Sequence, residues 1–264
     1  MNPISDLPHE CGLPKTLKAL KLELFCLRTS AHFLTVLFGL GWVVFARFLP
    51  APSPTASAEV IANFYMGNEA GIRIGATLMM LSFGPWATWG AVVAAWTRRV
   101  ETGTPVLSYV QIASLTISEM IGVLCALLWA SASFRAGEVS PEITMVLNDM
   151  GWLMFLLPWP PFSAWCLAVG IAVLRDESPQ PVLPRWVAGL SFLTAFLFMP
   201  ALLPLFFKTG GFAYNGLLGM YLPLLIFFVW IEGVTFPMVR AYRRRISELQ
   251  SHQELAHPQE VIRG

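Results

Sequence analysis

The chain has 264 residues, 56% of them hydrophobic and only 12% charged. So few charges cannot coat a water-soluble domain around that much apolar material, and most of it must face lipid. A formal net charge of +1, from 17 Lys and Arg against 16 Asp and Glu, gives no footing for nucleic-acid binding, because no long basic stripe interrupts the apolar pattern.

Residues 1–30 mix proline with acidic and basic residues and show no apolar core with a cleavage pair, so they are expected to stay in the mature protein. Within them Leu13, Leu17, Leu20, Leu24 and Leu27 recur at three- and four-residue intervals, while Lys15, Lys18, Lys21 and Glu23 fall between. This spacing predicts an amphipathic helix whose leucine stripe covers the ends of neighbouring spans or meets a partner. Six membrane-crossing helices are then predicted over 31–50, 73–96, 109–131, 150–173, 186–206 and 216–238. At 1.5 Å per residue each is roughly 30–36 Å long, enough to cross a hydrocarbon layer with modest tilt. Long outer connections at 51–72 and 132–149 alternate with short inner turns at 98–108 and 174–185, where TGTP and DESPQP break helical continuity. Arg240, Arg243, Arg244 and Arg245 close the sixth span, and a polar tail with His252 and His257 follows. The fold class is therefore all-α, a polytopic membrane protein with three regions: a cytosolic amphipathic segment (1–30), a six-helix membrane domain (31–238) and a cytosolic tail (239–264).

Charge sets the orientation. With both termini inside, 13 of the 17 Lys and Arg lie on the inner side, leaving Arg47, Arg73, Arg135 and Lys208 outside. Positive residues favour the cytosolic side, so both termini are expected to be cytoplasmic. Trp96 and Trp186 at inner boundaries, with Trp129 and Trp152 at outer ones, are expected to form interfacial belts. Cys11, Cys26, Cys125 and Cys166 form no CxxC pair or secreted framework and read as packed thiols.

Polar residues inside spans are where function would enter. Glu119, near the middle of the third span, needs a partner or a proton, since an isolated carboxylate in hydrocarbon is costly. Gln111, Ser114 and Ser118 on the same helix are expected to extend hydrogen bonds toward it. Glu232, in the sixth span, either approaches Glu119 or snorkels toward the arginines around Arg240. In the fourth span Pro158, Pro160 and Pro161 remove amide donors and predict a helix break whose freed carbonyls line a cavity or are met by protein. Gly84–Pro85, Pro200, Pro204, Pro223 and Pro237 mark further bends. Toward the outside, Asn63, Asn68, Glu69 and Arg73, with Asn148 and Asp149, read as caps and boundary charges or as an entrance. Lys208 to Gly211, followed by Tyr214 and Asn215, reads as a tight outer turn.

His9, His32, His252 and His257 are scattered, and no metal motif or Ser/His arrangement is present, so no catalytic residue, cofactor or metal ligand is assigned. Two stretches, NDMGWLMFLLPWPPF from Asn148 to Phe162 and LFFKTGGFAYNG from Leu205 to Gly216, resemble in character those of uncharacterised bacterial multispan membrane proteins. The resemblance covers most of the chain and carries over no functional residue. The expected function is transport or permeation of a small solute or ion, with a noncatalytic membrane-complex subunit as the alternative and an intramembrane enzyme behind both. The expected partners are the lipid bilayer and a membrane-protein partner or a second copy.

Overall fold

The structure, a computed structural model, describes residues 13, 14 and 16–256. His9, Cys11, Lys15 and His257 lie outside them, as does the side chain of His252. Among the described residues the fold is all-helical, with six helical segments long and apolar enough to cross a membrane: Leu17–Phe45, Glu69–Val100, Val106–Phe134, Pro141–Arg175, Trp186–Leu205 and Gly210–Ser251. This is a multi-pass membrane architecture.

The first span is longer than its hydropathy core. Helix α1 runs unbroken over Leu17–Gly39, so the leucine stripe is continuous with the crossing segment, and Leu20 and Leu27 are fully buried. Thr16 caps its start by accepting from the Ala19 amide (3.3 Å). A wider turn, Leu40–Phe45, ends it. Arg47 there adopts a left-handed conformation (φ 54°). Asn68 then donates to the carbonyls of Phe45 (2.8 Å) and Ala46 (3.3 Å), satisfying acceptors that the helix itself leaves open.

The connections expected on the outer side contain more helix than the sequence predicts. A short helix α2, Ala58–Met66, lies within 51–72, and α3 starts at Glu69 and continues to Val100. Helix α4, Val106–Phe134, is capped at its start by the Glu101 carboxylate, which accepts from the amides of Leu107 (2.8 Å) and Ser108 (3.2 Å). The fourth span is divided into α5, Pro141–Leu156, and α6, Trp159–Arg175. Helix α7 covers Trp186–Leu197 and passes into a tighter helical stretch, Met199–Leu205, that accommodates Pro200 and Pro204. Helix α8 covers Leu222–Ala256 with Pro237 inside it.

Packing closes these elements into a ring. Helix α1 touches α3, α3 touches α4, α4 touches α5 and α6, α6 touches α7, α7 touches α8, and α8 returns to α1. The turn that ends α1 and helix α3 meet backbone to backbone, since a Cβ on either Gly41 or Gly75 would collide with the other's carbonyl oxygen. At the end that carries the termini, Glu23 of α1 accepts from Arg99 of α3 (3.0 Å to Oε2) and from the Tyr242 hydroxyl of α8 (2.5 Å).

The tryptophans correct one expectation. Trp96, Trp129 and Trp152 are 0–1% exposed and so form part of the core, whereas Trp186 alone of the four is exposed, at 54%. The reason is tertiary: ring closure turns these indoles toward other helices, where each buries a large apolar area. The thiols of Cys125 and Cys166 are buried and unpaired.

Candidate functional site

A cavity of about 80 Å³ occupies the centre of the ring, at the break in the fourth span. Three prolines make that break. Pro158, Pro160 and Pro161 have no amide proton, so the carbonyls of Met154, Leu156 and Leu157 lack the donor that an α-helix supplies four residues ahead. Helix α5 closes with the Leu157 amide on the Leu153 carbonyl (2.8 Å), and α6 restarts at Trp159 with Pro160 and Pro161 in its first turn. Proline is tolerated there, because first-turn amides have no intrahelical acceptor. Leu156 and Trp159, one on each side of the gap, both line the cavity.

The remaining wall is predominantly aromatic. Phe38 of α1, Phe83 and Trp86 of α3, Phe155 and Phe162 beside the break, and Phe227 of α8 are among the rings that form it. The Phe83 ring can lie across α4 only because residue 122 is glycine, since a Cβ there would overlap the ring. Besides the Trp159 indole, the lining residues carry two polar side-chain groups, Ser118 Oγ and Trp86 Nε1, and both are buried without a hydrogen bond. Leaving each so costs about 1–3 kcal/mol unless something else occupies the site. The cavity holds more than the ~10–15 Å³ that one water needs.

Aromatic clusters flank the cavity along the bundle in both directions. Toward the termini, Trp89, Trp165 and Trp230 meet at ring separations of 5.7 and 5.8 Å, with Trp86 5.4 Å from Trp165. Two of the indoles are held by interhelical bonds, Trp89 to Thr235 Oγ1 (2.8 Å) and Trp230 to Ser191 Oγ (2.9 Å). Toward the other end, Trp152 lies 4.8 Å from Trp129, 5.2 Å from Phe48 and 6.3 Å from Trp42.

Beyond that second cluster is a closed polar hub. Asn148 is fully buried and uses both ends of its amide. Its Oδ1 accepts from the hydroxyl of Tyr65 (3.2 Å) and from Trp152 Nε1 (3.0 Å). Its Nδ2 donates to Asp149 Oδ1 (3.0 Å) and to the Tyr214 hydroxyl (3.3 Å). Burial first, and then the charges of Tyr214 and Asp149, push the Tyr65 hydroxyl well above its ordinary value, so it stays a neutral donor.

The other residues singled out by sequence are dispersed. Gln111, Ser114 and Ser118 share the buried face of α4, and Gln111 Nε2 donates across to Thr97 Oγ1 (2.7 Å). Glu119 sits on the flank of that face, half-buried, with Oε1 lacking a hydrogen-bond partner, so no chain of bonds joins it to Ser118. Glu232 lies 3.9 Å from His32 Nδ1 of α1, an exposed pair between α8 and α1. Arg73 donates to Glu69 (3.2 Å) and to the carbonyls of Ser133 (3.0 Å) and Phe134 (3.2 Å), so it caps the end of α4. Among the described residues no three His, Cys, Asp or Glu side chains come together as a metal site would need. Trp86 and the full Asn148 hub were not singled out as site residues by sequence, because nothing local marks which of ten tryptophans faces a void or which tyrosine reaches which amide.

No known family's model matches the chain, and neither does any curated protein or solved structure.

Proposed function

We propose that this membrane protein binds a small, uncharged, mostly apolar solute in the central cavity and passes it across the bilayer by alternately parting the two aromatic clusters. The observation that carries this reading is the cavity at the fourth-span break with unpaired Ser118 Oγ and Trp86 Nε1 on its lining residues. Aromatic walls favour apolar surface, and two donors together select a solute with a hydrogen-bond acceptor. Broken helices at the bundle centre are the usual place for such a site in transporters, because freed carbonyls are tolerated only where they line a cavity or meet protein. Ions fit less well, since no charged side chain lines this space. The expected location is a bacterial cytoplasmic membrane, and the charge distribution favours both termini on its cytosolic side.

The test is uptake into liposomes containing the purified protein, with a panel of uncharged solutes and a panel of ions, in both directions. Uptake of an uncharged solute that falls roughly tenfold or more in folded Ser118→Leu supports the reading, since that change removes a hydroxyl and fills the space. No uptake by the intact protein overturns it. So does flux that Ser118→Leu leaves unchanged while Glu119→Gln alters it, because the route would then run along the flank of α4.

One observation favours a second reading, a noncatalytic subunit of a membrane complex. Helix α1 leaves Lys21, Phe25, Arg28 and Phe33 exposed on one side. A partner helix on that face would meet both the charges and the rings. A sealed bundle with no flux, co-purifying with a second membrane protein, is the result this reading expects.

A further inference from the structure

We infer that a groove between the α6–α7 connection and α8 is a binding site for an anionic phospholipid, with the lipid phosphate held by Arg240 and Arg244. This groove is separate from the central cavity and measures about 520 Å³. Its walls are Pro181, Val182, Pro184 and Trp186 on one side and Phe236, Arg240 and Arg244 on the other.

Its chemistry is graded along the membrane normal. Arg240 and Arg244 are one turn apart and so point from the same face of α8, about 6 Å apart along its axis. Both are exposed, and they lie beside Tyr242, which joins Glu23 and Arg99 at the end of the ring that carries the termini. One turn in the opposite direction, toward the middle of the span, stands Phe236, 66% exposed. Trp186, 54% exposed, flanks the same transition from α7 and packs over Gly233 of α8. Cations above, an indole at the boundary and an outward phenyl ring below match a phosphate, a glycerol backbone and an acyl chain in that order.

Two features make this a site rather than a uniformly basic rim. The groove is walled by a second element, the bent connection from Pro181 to Pro184, whose two prolines restrict its backbone beside α8. Within the same arginine cluster, Arg243 is exposed but is not part of the groove wall. Arg244 also approaches Glu248, at 3.8 Å from Nε to Oε1, and its planar guanidinium suits a phosphate better than an ammonium does.

The experiment is native mass spectrometry of the full chain titrated with phosphatidylglycerol or phosphatidylcholine of identical acyl chains. One phosphatidylglycerol is expected to remain bound about 30-fold more persistently than phosphatidylcholine, the ratio that roughly 1 kcal/mol for each of two basic residues near an anionic headgroup gives. That preference is expected to vanish in the double variant Arg240→Gln, Arg244→Gln, and to survive in Arg243→Gln. Melting temperature, measured in parallel, checks that the variants are folded. Equal retention of the two lipids overturns the site. So does an equal loss in Arg243→Gln, which would show diffuse charge attraction only, and so does displacement of the lipid by millimolar glycerol phosphate, which would assign the groove to a soluble phosphate.

Discussion

The Asn148 hub and the central cavity are built from the same materials and end in opposite states. Each sits in the ring among stacked indoles and phenyl rings, and each has polar groups with little or no access to solvent. At the hub every acceptor and donor of the Asn148 side chain is used, by Tyr65, Trp152, Asp149 and Tyr214. At the cavity Ser118 Oγ and Trp86 Nε1 are left over. Buried polar groups cost least when fully matched, so Asn148 is a fastening, whereas the cavity, like the Trp42 and Trp129 indoles packed beside the hub, keeps unpaired donors. The stability of the fold and its capacity to bind something are thus lodged in neighbouring layers rather than in one site.

Substitutions can separate the two. The largest effect is expected from Asn148→Leu, which orphans the Tyr65 hydroxyl and the Trp152 indole together. A loss of roughly 3 kcal/mol, read as a fall in melting temperature in detergent or lipid, should accompany unchanged solute affinity in whatever protein remains folded. Gly122→Ala comes next. Its new Cβ drives the Phe83 ring from its place, so it should lower stability by about 1–2 kcal/mol and also depress uptake, joining the two regions that Asn148→Leu keeps apart. Glu23→Gln loosens the closed contact at the opposite end, where Glu23 is 17% and Arg99 28% exposed. A loss of about 1 kcal/mol in unfolding measurements, with no change in solute selectivity, is the expected outcome. The smallest stability effect belongs to Ser118→Ala. Removing a hydroxyl that bonds to nothing should leave the melting temperature unchanged or slightly raised, within about 0.5 kcal/mol, while uptake falls about tenfold. A marked destabilisation by Ser118→Ala would make that hydroxyl a structural group and erase the contrast between hub and cavity.

How legible these regions are in the sequence depends on the range of the chemistry involved. The helix break follows from Pro158, Pro160 and Pro161 themselves, because a missing amide proton is a property of the residue wherever it folds. Glu119 and Ser118 are adjacent in sequence, yet on a helix adjacent residues diverge by about 100°, so one enters the cavity wall and the other stays on the flank. The interfacial placement of Trp96, Trp129 and Trp152 rested on their positions near span ends, and ring closure buried them instead. A single tryptophan suits either place, and only the neighbouring helix decides between them. The Asn148 hub joins residues 83 and 66 positions apart, separations at which no periodicity in the chain carries information.

Composition and hydropathy by themselves determined that 264 residues with 12% charge make a bundle of six apolar helices, since lipid leaves the backbone no other way to satisfy its hydrogen bonds. They also determined where the fourth helix fails. Tertiary structure alone decided that α8 returns to α1, that Glu232 faces His32 rather than Glu119, and that the failure opens onto Ser118 and Trp86. Those choices depend on which faces meet when six similar helices pack, and packing among helices in lipid turns on local fit and scattered polar contacts rather than on overall hydrophobicity.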